Sequence, residues 1–170
     1  ERFRSGPAYW VHHRMKANAI AAADEIICVS QTTRNDLLEF FPKTTPEKIK
    51  VIHHGVDTDE FFPPYGHTDT YLGDFILFLG QRDGYKRFDL AVDVLGCLPD
   101  FKLAIVGPPL TKQETELLVK TLGTRWYWFG QLETEALRIL YSSVHAFIYP
   151  SDYEGFGMPI LEALACGCPV

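Results

Sequence analysis

From residue 75 onward, short apolar runs alternate with stretches of helical periodicity. The runs fall at 75–79, 102–106, 126–129 and 144–149, and the helical stretches at about 88–98, 111–122, 133–142 and 159–166. Strands that alternate with helices in this way predict a parallel sheet joined by right-handed crossovers. Phe75 to Leu79 and Leu103 to Val106 are apolar at every position, as expected of strands covered by helices on both faces. Upstream, the pattern predicts an Ala-rich helix over 8–23, a strand from Glu25 to Val29, a helix from Thr32 to Phe41 and a strand from Ile49 to Ile52. Ser30 or Thr32 would cap the second helix, and Pro42 would stop it. Between them, His53 to Asp74 is rich in Gly, Pro, Asp and Thr without helical period, which reads as a linker.

The expected class is therefore α/β. A Rossmann-like parallel sheet with helices on both faces occupies 75–170, an interdomain linker 55–74, and the tail of a first Rossmann-like domain 1–54. Composition agrees, because 46% hydrophobic and 22% charged residues can bury a core. A net charge of −6 argues against nucleic acid, whose phosphates are bound through clustered Lys and Arg. Arg2, Arg4, Arg14 and Lys16 make the amino-terminal stretch locally basic, which reads as a solvated face rather than a membrane patch. No apolar run reaches the roughly 18 residues a bilayer span needs, so a cytoplasmic protein is expected. Cys28, Cys97, Cys166 and Cys168 have neither disulfide nor zinc spacing and are expected to be reduced, buried thiols. The adjacent histidines His12–His13 and His53–His54 diverge in regular structure and are assigned no metal.

One segment concentrates the chemistry: Glu154-Gly155-Phe156-Gly157-Met158-Pro159-Ile160-Leu161-Glu162. Pro159 suits the first helical position and Gly167 the helix end, so a helix should open here. Glu162 would lie about 4.5 Å along its axis from Pro159, with Glu154 outside on the loop. Free backbone amides and the helix dipole attract anions, and the two glycines let an oxyanion approach the chain closely. Phosphate between two carboxylates suggests a sugar nucleotide.

Two glutamates eight positions apart across Gly-Phe-Gly-Met-Pro, followed by Ala-Leu-Ala-Cys-Gly-Cys-Pro-Val, resemble the signature of retaining GT-B glycosyltransferases of glycosyltransferase family 4. The resemblance implies that Glu154 contacts the transferred sugar on the face where chemistry occurs. It implies that Glu162 accepts from ribose hydroxyls, and that the backbone at Gly155, Phe156, Gly157 and Met158 meets phosphate or sugar oxygens. In the loop Gly80-Gln81-Arg82-Asp83-Gly84-Tyr85-Lys86-Arg87 the family supplies an Arg and a Lys to the donor pyrophosphate. Lys86 stands six positions after Gly80, as in the family, while Arg82 stands one position later than the commonest pattern. Fixed cations would stabilise the charge that builds on the departing diphosphate, so no metal or other cofactor is needed.

The Gly-Tyr-Lys loop resembles that of mannosyl and rhamnosyl transferases, which favours GDP-mannose over a UDP-sugar as donor. The acceptor would be a saccharide or glycolipid in polysaccharide or glycolipid assembly. The resemblance covers nearly all of this sequence but about half of a whole enzyme, and the family's first-domain histidine would lie upstream. Membrane contact would run through the first domain, peripheral to the inner face. His54 stands where the family hinge often has Asn, before Gly55-Val56-Asp57. Two other readings compete. The piece alone can be a nucleotide-binding module without turnover, because half of the cleft would be missing. A glycosidase using Glu154 and Glu162 would need no neighbouring Arg and Lys. An oxidoreductase is disfavoured, as no Gly-x-Gly-x-x-Gly follows a strand.

Overall fold

A computed structural model describes residues 7–63, 72–82 and 84–170, with side chains described from residue 9. Arg2 and Arg4 of the basic stretch, residues 64–71 of the expected linker, and Asp83 lie outside the described residues. The chain divides into two compact units, Glu1–His54 and Gly55–Val170.

The first unit holds helix α1 (Pro7–Ala22), strand β1 (Ile26–Cys28), helix α2 (Gln31–Phe40), a single 3-10 turn at Pro46–Lys48 and strand β2 (Ile49–Val51). β1 and β2 pair in parallel, with Ile26 opposite Ile49. Ser30, rather than Thr32, caps α2 by accepting from the Thr33 amide at 3.0 Å. Parallel neighbours need a crossover, and α2 supplies it.

The second unit is the larger. Its strands are β3 (Leu72–Leu79), β4 (Lys102–Val106), β5 (Trp126–Gly130) and β6 (Val144–Phe147), and its helices are α3 (Phe88–Gly96), α4 (Lys112–Leu122), α5 (Thr134–Ser143) and α6 (Met158–Ala165). All strand pairs are parallel, in the order β5-β4-β3-β6. Successive side chains of a strand point to opposite faces. Ile76 and Phe78 of β3, with Leu103 and Ile105 of β4, therefore join Phe88, Leu95 and Leu118 of α3 and α4 in one core. Leu77, Ala104 and Val106 turn the other way, onto Leu140 and Tyr141 of α5 and Ala163 of α6. Leu77, Leu103, Ile105 and Leu118 are wholly buried. Each such side chain stabilises the fold by about 1.5–3 kcal/mol relative to exposure. This explains why the strand sequences lack polar alternation.

Three expectations need adjusting. Within the stretch read as a linker, Phe61 is buried and Val56 packs against the α5–α6 core, so residues 55–63 belong to the second unit's packing. β3 also begins at Leu72, three residues earlier than its apolar run. The thiols of Cys28, Cys166 and Cys168 are buried, whereas Cys97, at the C-cap of α3, is exposed.

Candidate functional site

The strand order creates the site. From β3 the chain winds outward through β4 to β5, then returns past β3 to lay β6 on its other side. The loops leaving β3 and β6 lead to helices on opposite faces of the sheet, the switch point at the strands' carboxyl ends where ligands of such sheets bind. Those loops are Gly80–Arg87 and Ile148–Gly157, which carry the predicted Arg82, Lys86, Glu154, Gly155, Phe156 and Gly157, while Met158 and Glu162 lie on α6.

The loop after β3 ends in a 3-10 turn, Gly84–Lys86, and α3 follows from Arg87. Arg87 has φ 50°, the left-handed region that costs a non-glycine residue of order 1 kcal/mol. Its guanidinium bridges Asp89 on its own helix and Asp152 on the β6 loop, the latter at 3.1 Å. The Asp152 amide donates to the Tyr85 carbonyl at 2.8 Å. The two loops are therefore tied by backbone as well as by charge.

Between these ties Lys86 Nζ meets Glu154 Oε1 at 2.5 Å and Tyr149 Oη at 3.2 Å. The ammonium also lies over the rings of Tyr149 and Tyr85, 5.0 and 5.4 Å from their centroids. The side chains of Lys86 and Glu154 are 14% and 25% exposed, so the pair is only partly screened yet open to solvent. Burial alone would lower the Lys86 pKa, but hydrogen bonding to Glu154 and Tyr149 outweighs it and holds the ammonium above its ordinary range. Burial pushes the Glu154 carboxyl up, while Lys86 leads the contacts that hold it below the ordinary carboxylate range. Both groups are ionised at neutral pH.

Helix α6 begins one residue before the expected Pro159. Gly157 is the N-cap, Met158 the first helical residue and Pro159 the second. Gly157 has φ +90°, a conformation that favours glycine, and a Cβ there would also crowd Ile160 Cδ1 at 3.3 Å. The far end of α6 closes on Gly167, at φ +77°, as expected. The Cys168 amide donates to the Ala163 carbonyl and the Gly167 amide to Leu164, which satisfies two terminal carbonyls. Glu162 is half-buried and accepts from Tyr141 Oη at 3.3 Å. Burial raises its pKa, only partly offset by that bond. Gly155 and Phe156 are half-buried in the loop ahead of the N-cap.

Arg82 takes another direction. Its Nε donates to Glu114 Oε1 at 2.8 Å and its Nη2 to the carbonyls of Pro108 and Pro109 at 2.7 and 2.8 Å. These groups lie on the β4–α4 connection and the first turn of α4, on the opposite flank of β3 from Glu154. The structure thus joins Lys86 to Glu154 and turns the Arg82 guanidinium away from both.

Tyr149, Asp152 and Glu114 were not foreseen as contributors. Glu114 had a readable signal, the Thr111-x-x-Glu114 capping box, whose two reciprocal bonds both form. Tyr149 ends the apolar run 144–149, so its ring reads as more core, and its hydroxyl contact depends on a residue 63 positions away. A cavity of about 430 Å³ in the first unit, lined by Ile20, Phe40, Phe41 and Lys48 among others, contains none of the predicted residues.

Residues 67–170 match the family model described as glycosyl transferases group 1, and residues 1–60 match glycosyltransferase family 4. The chain belongs to the glycosyl transferases group 1 family. Among relatives of this family member, alpha-maltose-1-phosphate synthase of Mycolicibacterium smegmatis is 30% identical over 183 residues, covering 97% of this chain and 47% of the relative. The O-antigen chain mannosyltransferase B of Escherichia coli is 53% identical over 51 residues, covering 28% of this chain and 13% of that protein. The crystal structure of Anabaena HepE in complex with UDP and glucose has TM-score 0.81 at 21% identity, covering 94% of this chain and 47% of that one. The chain spans about half the length of the synthase and of HepE, and the likeness to HepE shows the GT-B fold.

Proposed function

We propose that the second unit binds the nucleotide-sugar donor of a retaining hexosyltransferase at the β3–β6 crevice. The observation that carries this reading is the contact of Lys86 with Glu154 where the β6 loop leads into α6. An ammonium has three donors. Glu154 and Tyr149 take two, which leaves one for an oxygen of the donor diphosphate. Met158, at the first helical position, has a backbone amide without an intrahelical acceptor. Lysine and helix end together supply positive potential for the charge that develops as the diphosphate departs.

Glu154, held ionised by Lys86, accepts hydroxyls of the transferred sugar, and Glu162 accepts ribose hydroxyls in competition with Tyr141. Gly155, Phe156 and Gly157 line the approach to the phosphates. No metal is required in this scheme, because the fixed cations act on the leaving group. The likeness to a mannosyltransferase favours mannose as the sugar and GDP as its carrier, and the HepE complex with UDP supports a nucleoside diphosphate in general. The acceptor is a saccharide or glycolipid, met by parts of the longer protein, which acts in the cytoplasm or on the inner face of a membrane. The 170-residue chain by itself binds nucleotide without turnover. Calorimetry with GDP and UDP tests the assignment: Lys86→Ala and Glu162→Ala should each weaken binding, and unchanged affinity in both variants refutes the site.

A further inference from the structure

The geometry points to Arg82 and Glu114 as a latch that positions Lys86, so that Arg82 serves the anion site without touching the anion. This rests on the donor site proposed above. Arginine in a loop at a strand's carboxyl end would ordinarily be read as a phosphate fork. Here the fork is already occupied. Nε is taken by Glu114 and Nη2 by two carbonyls, while the side chain is 4% exposed. The remaining nitrogen, Nη1, is buried without a partner among the described residues, and a Cβ built on Gly107 would lie 3.4 Å from it. Nη1 is therefore not open to a dissolved anion in this structure.

Glu114 is equally committed. Its Oε1 accepts from Arg82 and its Oε2 from the Thr111 amide at 2.7 Å, so the carboxylate is locked to the first turn of α4. Gly107 makes the approach possible: at φ +142° its missing Cβ would fall 2.5 Å from the Gly80 carbonyl oxygen. The β3 loop is thus fastened at Arg82 to the β4 side and at Lys86 and Arg87 to the β6 side. Lys86 stands four positions after Arg82 and closes the 3-10 turn 84–86 that sets its backbone. Freeing Arg82 releases the turn that aims the ammonium at Glu154.

Glu114→Gln is the informative variant, because glutamine preserves the capping box while removing the charge that holds Arg82. In calorimetry with GDP and UDP, Glu114→Gln should weaken diphosphate binding by about three- to tenfold, and adding Arg82→Met should cost less than about twofold more. The loss caused by Lys86→Ala should shrink in the Glu114→Gln background, a coupling that mere destabilisation of the fold would not produce. If Arg82→Met does not fold, this Lys86–Glu114 cycle decides alone. Binding by Glu114→Gln equal to or tighter than wild type, with Arg82→Met costing about tenfold or more in either background, would make Arg82 a direct ligand and overturn the latch. Wild type that binds neither nucleotide overturns the donor site and the latch with it, a pattern distinct from the former.

Discussion

The two flanks of β3 carry the same chemical pair arranged to opposite ends. On the β6 flank Lys86 meets Glu154 with exposures of 14% and 25%, and one ammonium donor has no partner among the described contacts. On the β4 flank Arg82 meets Glu114 with exposures of 4% and 18%, and carbonyls take its Nη2. Basic residues four apart in one loop thus differ in what they can offer a ligand. A charge becomes available when topology opens a crevice beside it, and the divergence of chain paths occurs between β3 and β6 and not between β3 and β4. The comparison predicts that changes on the β4 flank cost mainly stability and changes on the β6 flank mainly nucleotide affinity.

The largest effect should come from closing the β4 flank sterically. Gly107→Ala puts a methyl group 2.5 Å from the Gly80 oxygen in a left-handed conformation, and should destabilise by about 3 kcal/mol. Denaturant titration reads this directly, and a midpoint equal to wild type would show that the two loops do not approach as described. Next, Arg82→Met should cost about 2 kcal/mol of stability by leaving Glu114 and two carbonyls without their donor. An equal cost from Lys86→Met would erase the distinction between the flanks. In affinity the order reverses: Lys86→Ala should weaken GDP or UDP binding by about 10- to 100-fold, the worth of one or two hydrogen bonds to a charged group.

Titration sharpens the contrast further. The Glu154 pKa is lowered, so its contribution is present above the unfolded value and is lost as pH falls through the folded value. The Lys86 pKa is raised, so its contribution is complete below the unfolded value and is lost as pH rises through the folded one. The pair's contribution to stability should therefore fall at acid pH, and Glu154→Gln should reduce that acid limb. Glu162 has the opposite sign from Glu154. Its raised pKa means that stability declines as pH rises through that value, so Glu162→Gln should be neutral or slightly stabilising at neutral pH, by under about 1 kcal/mol, while weakening nucleotide binding. A clear loss of stability in that variant would show that the Glu162–Tyr141 contact supports the fold.

Much of this was legible in the chain. The four apolar runs became β3 to β6 because continuous apolar strands need helices on both faces, and Pro159 and Gly167 bracketed α6 to within a residue. Lys86 and Glu154 could be paired through the family resemblance, although 68 positions separate them. Other features depend on partners that no local pattern discloses. Arg82 turns to Glu114, 32 residues on, because the capping box at Thr111 presents a carboxylate there. Phe61 sits in a stretch whose Gly, Pro and Asp content reads as linker, yet its ring packs against Tyr141 at 6.4 Å between centroids. Cys97 was misread as buried because the helix it terminates is apolar, while the C-cap position itself faces outward.

The central claim is that a diphosphate lodges where β3 and β6 part. A crystal structure of the chain with GDP or UDP tests it most directly. The account predicts phosphate oxygens within hydrogen-bonding distance of Lys86 Nζ and the Met158 amide, with Arg82 still on Glu114. A diphosphate bound between the β3 and β4 loops, or in the first unit, would contradict it.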